Sequence, residues 1–371
     1  MQKEKVTLYQ SVATIVLFNF GSSVIMGINI TAKQDTWLAI LAAAAAGVPL
    51  FLIYAQIFKR FPGKDLYEIA EVLFGKIGGK VITVLMIWFC TYLAALVLRA
   101  FSEFTEVSTL QRTPQLPILV LMTLATVYLA RSNARAIGKW SVISAFLVLF
   151  VVVFTFFASA NKMKVEDILP IMGHSTAELA ESAFEIFGFP FAETVVFLCL
   201  GNSLNKDSKP IKMLFCSLVI IMVIFLMVFF RNLTLLGSNM MDICYFPSYV
   251  AVRTIEIGDF LVRIEGFITS NFFFAGIVKV SVCLLAASRG LMRLFNLPDY
   301  HPMVTPIGML ALALSVIVYS NTMEMFTFME YYSYYAFPFQ VIIPMIIWIA
   351  GEIHARKQRK KAEPKPLADA S

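Results

Sequence analysis

The sequence predicts an all-α integral membrane protein that crosses the bilayer about ten times, as two five-helix halves of inverted topology. Three observations point there. Hydrophobic residues make up 59% of the 371 positions and charged residues only 15%, where a soluble domain carries about a quarter charged. Eight stretches of at least 18 residues contain no Asp, Glu, Lys or Arg, long enough for helices crossing a hydrocarbon core of about 30 Å. Basic residues are also divided very unequally between alternate loops.

The clean stretches are 6–32, 36–58, 81–98, 113–130, 140–161, 213–230, 302–323 and 331–351. The first follows Met1-Gln2-Lys3-Glu4-Lys5 and runs 27 residues without a cleavage site. The apolar region of a secretory signal runs only about 7–15 residues, so this stretch reads as an uncleaved first span. Two weaker candidates complete the ten: 179–202, carrying Glu181, Glu185 and Glu193, and 264–288, carrying Glu265 and Lys279. Each ionisable group at a span centre costs about 2.5–3.5 kcal/mol on insertion scales, so these residues should face protein or water. With ten spans, one side of the membrane receives 21 basic residues and the other 6. The positive-inside rule then makes both termini cytoplasmic. Residues 1–355 form one polytopic domain, and 356–371 form a basic tail suited to anionic lipid. Lipid contact, and not nucleic acid, explains the net charge of +6.

The halves, about 6–161 and 178–352, mirror one another. A long connection at 59–80 follows the second span on the inside, with an amphipathic helical pattern over 65–73; its counterpart at 237–263 follows the seventh span on the outside. Five spans is an odd number, so the second half enters from the opposite face, as an inverted repeat requires.

Enzymatic chemistry has little support. His174, His301 and His354 lie far apart, and Cys90, Cys199, Cys216, Cys244 and Cys283 contain no C-x-x-C pair. That pattern suits neither a zinc site nor a disulfide scaffold, and neither H-E-x-x-H nor a P-loop occurs. No cofactor or metal is expected.

Binding chemistry is expected where paired helices break, because unwound backbone in lipid is tolerated only if it lines a protein cavity. Span 1 offers Asn19-Phe20-Gly21-Ser22-Ser23-Val24-Ile25-Met26-Gly27, and span 6 offers Gly188-Phe189-Pro190-Phe191. Proline removes a backbone donor and clashes with the preceding turn. Freed N–H groups suit a carboxylate and freed carbonyls an ammonium, so one site offering both fits an amino acid. The competing reading of Gly21, Ser22 and Gly27 is close helix packing. Lys279 needs a partner, either carbonyls of span 1 or Glu193; it could stand where sodium binds in coupled transporters, form a structural ion pair, or snorkel. Tyr92, in mid-span 3, is a candidate for the cavity wall. Glu330 and the run Tyr331-Tyr332-Ser333-Tyr334-Tyr335 read as interfacial residues.

The chain resembles the B subunits of GerA-type spore germinant receptors, members of the amino acid–polyamine–organocation transporter superfamily. The resemblance rests on Val6-Thr7-Leu8-Tyr9-Gln10, on Arg60-Phe61-Pro62-Gly63-Lys64-Asp65-Leu66 with Leu73-Phe74-Gly75, and on Gly188-Phe189-Pro190 followed by Glu193-Thr194. It covers roughly residues 5 to 352. It implies a LeuT-like fold with broken helices 1 and 6, residence in the inner spore membrane, and A-type and C-type partner subunits. It also implies a nutrient ligand such as an amino acid, held at Gly21, Ser22 and Ser23 and at Gly188 to Phe191. Transporters of the superfamily often carry Gly-Ser-Gly where this chain has Gly21-Ser22-Ser23, and the added side chain is expected to narrow the pocket. Two other readings stay open: a working amino-acid/cation symporter, and a structural or channel-forming subunit without its own ligand.

Overall fold

The computed structural model describes residues 5–26, 31–204, 209–255 and 265–362. Among these, eight helical segments are long and apolar enough to cross a membrane, and two shorter apolar helices, Leu8–Gly21 and His301–Ile317, bring the number to ten. In chain order the helices are α1 (Leu8–Met26), α2 (Thr36–Arg60), α3 (Leu66–Ser108), α4 (Gln115–Ser132), α5 (Ala134–Ala158) and α6 (Thr176–Gly188). They continue as α7 (Pro210–Ile243), α8 (Pro247–Arg253), α9 (Glu265–Leu294), α10 (His301–Ile317), α11 (Thr322–Phe337) and α12 (Ile343–Ala362). Span 6 is α6 plus a 3-10 segment, Phe191–Ser203; span 8 is α9 and span 9 is α10. Span 10 joins α11 to α12 through a π-helical turn, Pro338–Ile342.

The inverted repeat is visible in which helices touch. An inversion that exchanges spans 1–5 with 6–10 maps the pairs 2 with 7, 3 with 8 and 4 with 9 onto themselves, and all three pack together. Further contacts come in image pairs. Span 1 packs on 8 and span 6 on 3; span 1 packs on 7 and span 6 on 2; span 5 packs on 8 and span 10 on 3. Spans 3 and 8 form the central crossing. There Phe101 and Phe272 stack at 3.8 Å, and a Cβ on Gly276 would fall 1.6 Å from the Phe101 ring.

The two mirrored connections take the expected forms. Asp65 caps the amphipathic start of α3 by accepting the Glu68 N–H at 2.9 Å, and the helix turns at Gly75, whose φ of 71° is left-handed. On the opposite face, α7 turns at Gly237 with φ 72° before α8. The start of the last span differs from the sequence reading. The last span begins at Thr322 rather than 331, because the Asn321 side chain accepts the Glu324 N–H at 2.9 Å and starts the helix earlier. Glu330 is thereby an exposed residue of α11.

Both ends of the described chain lie on one face. The Val6 N–H donates to the Ser203 carbonyl at 2.9 Å, and Arg60 pairs with Glu352. On the same face, Asn202 donates to Asp65 Oδ2 at 2.8 Å and accepts from Arg289 at 2.5 Å. These contacts tie the end of span 6 to span 8 and to the loop between spans 2 and 3, closing that face beneath the site. Burial pushes the Asp65 carboxyl up to about 6, against the opposing pull of the Glu68 N–H, Arg289 and Arg293. A folded-state carboxyl titrating near 6 keeps its proton longer than in the unfolded chain. Its contribution to stability therefore falls as pH rises from about 4 to about 6 and is level above. Comparing thermal unfolding of the wild type with Asp65→Asn across that window should show a weaker pH dependence in the variant.

Candidate functional site

Span 6 breaks where the sequence places the break. Its first half starts at a capping box, with Ser175 and Glu178 satisfying one another's exposed N–H groups. It ends at Gly188, because Pro190 offers no N–H to continue the ladder. Protein groups take up the acceptors around the interruption. Gln340 Nε2, in the π-helical turn of span 10, donates to the Gly188 carbonyl at 2.9 Å. Ser333 Oγ donates to the Glu185 carbonyl at 3.1 Å, and Tyr54 donates to the Gln340 carbonyl at 2.5 Å. Gly188 itself is held by packing, since a Cβ there would lie 2.4 Å from Ser333 Oγ.

Just beyond the break, Glu193 lies in the first turn of the second half-helix, at its positive dipole end. Lys279 Nζ meets Glu193 Oε2 at 2.5 Å, and neither side chain has any solvent exposure. Tyr332 donates to Glu193 Oε1 at 2.6 Å. The rings of Phe18 and Phe189 flank the ammonium at 5.2 and 5.1 Å, adding cation–π attraction that is strongest when desolvated. Each buried ion costs several kcal/mol to desolvate, which a close pair repays only when further hydrogen bonds and contacts complete it. Tyr332 and the two rings supply that completion. Of the two partners left open for Lys279, Glu193 is in contact with it.

In span 1 the stretch expected to break runs on to Gly27, past Met26, the last described residue of α1. Among the described residues α1 stays helical through Gly21, Ser22 and Ser23 to Met26, and Gly27 lies outside the described residues. Asn19 Nδ2 donates to the Ile15 carbonyl at 2.8 Å and Ser23 Oγ to the Asn19 carbonyl at 2.9 Å, so these polar side chains accompany helical backbone. Gly21 serves close packing: a Cβ there would approach the Ala275 carbonyl oxygen on α9 to 3.1 Å. That approach sets Phe18 over Lys279. Asn19 Nδ2 also reaches Thr194 Oγ1 at 3.1 Å, tying α1 directly to the span 6 break.

A cavity of about 20 Å³ adjoins Glu193, walled by Leu93, Leu96, Val97 and Ala100 of α3, by Phe189, Met325, Met329 and Tyr332, and by Tyr319. That is room for about one water, so the site is in a closed form and a larger ligand requires its walls to part. Phe191 packs on Phe225 at 5.7 Å, away from this wall. Tyr92 stacks on Trp88 at 5.4 Å and meets Tyr335 at 5.4 Å, one residue from the lining position Leu93.

Tyr332 corrects the interfacial reading of the tyrosine run. Tyr331 and Tyr334 are 62% and 59% exposed, whereas Tyr332 is 1% exposed. Helical periodicity turns 332, 336 and 340 inward together, and a period-3.6 reading from Gln340, the lone amide of an otherwise apolar stretch, would have found it.

The fold and this site define an inverted-repeat membrane protein of the LeuT type. The chain superposes on MhsT in complex with L-phenylalanine with a TM-score of 0.72, at 13% identity, over 94% of this chain and 89% of that one. It superposes on Mhp1, a nucleobase-cation-symport-1 family transporter with bound bromovinylhydantoin, with a TM-score of 0.66, at 14% identity, over 99% and 95% of the two chains. Within that class, residues 5–349 match the spore germination protein family, and the chain belongs to it. Relatives in Bacillus subtilis (strain 168) include spore germination protein KB, 24% identical over 98% of both chains. The putative spore germination protein YfkT is 21% identical over 86% of this chain and 87% of its own.

Gly188→Ala should displace Ser333 and with it the neighbouring Tyr332, lowering stability by about 1–3 kcal/mol, the usual cost of overpacking. Thermal unfolding of the purified protein checks this, and adding Ser333→Gly should recover part of the loss.

Proposed function

We propose that this chain is the nutrient-recognising membrane subunit of a spore germinant receptor, binding an amino acid at the span 6 break. The observation that carries the reading is the completed Glu193–Lys279–Tyr332 cluster beside that break, in a chain of the germination family. Buried opposite charges in a membrane protein mark ligand or ion pathways. The two fold neighbours hold small organic molecules, phenylalanine and a hydantoin. Gly188, Phe189 and Pro190 would form one wall of the opened site, and Gly21, Ser22, Ser23 and Gly27 the span 1 side facing it. In this reading the protein resides in the inner spore membrane with both termini on the core side. Ligand binding shifts an equilibrium between closed and open forms, which requires different affinities for the two, and A-type and C-type subunits read the shift.

The second reading is a working amino-acid/cation symporter, with Glu193 or Lys279 exchanging a proton. It is favoured by the transporter nature of Mhp1. Reconstituted alone in proteoliposomes, the chain should bind labelled amino acid saturably without accumulating it against a gradient. Concentrative uptake would establish the symporter instead. In spores, Lys279→Met strands Glu193 without its counter-charge, a change worth about 3–5 kcal/mol, and should abolish the nutrient response. An unchanged response with unchanged stability would remove the pair from the mechanism.

A further inference from the structure

The cavity beside Glu193 has an uneven chemistry. Its α3 wall is Leu93, Leu96, Val97 and Ala100, and α11 adds Met325 and Met329. Its polar lining residues are Glu193, Tyr319 and Tyr332, and among the described residues no Asn, Gln or Arg lines it. Methionine side chains are unbranched and adaptable, so this wall can yield to an apolar group of variable shape. The Glu193 carboxylate stands between the cavity and Lys279, with Oε1 on the Tyr332 hydroxyl at 2.6 Å and Oε2 on Lys279 Nζ at 2.5 Å.

The pair is a fully buried couple of opposite charges, carboxylate and ammonium. A ligand carrying one net charge would upset that balance in a site shielded from water, where an uncompensated ion is expensive. A zwitterion would not. Its ammonium can replace Lys279 and Tyr332 on Glu193 while its carboxylate takes Lys279, so two intramolecular contacts become two intermolecular ones and the local charge is unaltered. The rings of Phe18 and Phe189 already flank the Lys279 ammonium. The remaining part of the ligand then meets the Leu, Val and Met wall.

We infer that the Glu193–Lys279 pair takes its ligand by exchanging partners with a zwitterion, and that the α3–α11 wall selects zwitterions with an apolar side chain. This rests on the amino-acid reading above and names the ligand class within it. Aliphatic and thioether amino acids fit the wall. An amide side chain would lose its water there with few partners in return, a loss of roughly tenfold to a hundredfold in affinity.

The test is equilibrium binding to the full chain in lipid nanodiscs, with L-leucine, L-methionine, L-asparagine, 4-methylpentanoate and 3-methylbutylamine as probes. The last two retain an apolar body but lack the ammonium and the carboxylate respectively. Leucine or methionine should bind, with asparagine and both single-charge analogues at least about tenfold weaker. Asparagine binding as tightly as leucine would overturn the apolar selection. Either single-charge analogue binding as tightly as leucine would overturn the exchange. In both cases amino-acid recognition itself would stand. Failure of all three amino acids to bind would overturn recognition and inference together. The double variant Glu193→Gln/Lys279→Met, which leaves no stranded charge, should keep its fold by thermal unfolding. Its preference for leucine over the single-charge analogues should collapse toward equality; a preserved preference would overturn the exchange.

Discussion

A lysine and a glutamate with no solvent exposure meet at 2.5 Å in the middle of this membrane protein, and much of the surrounding structure is arranged to make that contact tolerable. Neither ion could be left alone at this depth. The pair requires span 6 to break, because the interruption at Gly188 to Pro190 places Glu193 at the start of a new helical segment. It requires α1 to press on α9, because that approach brings Phe18 over the ammonium. It also requires span 10 to turn Tyr332 inward. Spans 1, 6, 8 and 10 are therefore joined at one point, and a change in any of them is felt by the others.

Span 10 is tied to both sides of the break. Tyr332 reaches Glu193 below it, while Ser333 and Gln340 satisfy the carbonyls of Glu185 and Gly188 above it. The π-helical turn at Pro338–Ile342 coincides with this attachment, as such turns commonly do at functional positions. Below the site, Asp65, Asn202 and Arg289 link span 6 and span 8 to the loop between spans 2 and 3. Parting the cavity walls thus involves helices already bonded to the break, which gives the fold a physical route from site to face.

The inverted repeat explains why the site lies where it does. Spans 1 and 6 are images of one another and touch, as do spans 3 and 8, which pack against them. The images have diverged in use. Span 6 carries proline and breaks, whereas α1 keeps its helix through Gly21 to Met26 and uses its small residue to approach α9.

Much of this was legible in the residues alone. Ten spans, the inverted halves, the Gly188-Phe189-Pro190 break and the need of Lys279 for a partner follow from local rules: apolar run length, charge between loops, the missing proline N–H and the cost of an isolated ion in lipid. The rest depended on contacts between residues distant in the chain. Glu193 was only a candidate for Lys279 until packing put α9 against the break and brought the two side chains to 2.5 Å. Tyr332 was one of four tyrosines in a run until the rotation of α11 turned it from lipid to Glu193. Gly21 could equally have broken a helix or let one approach, and only the position of Ala275 decided it. Local chemistry determined which groups must be satisfied, and tertiary packing, which alone brings distant side chains within bonding distance, decided by whom.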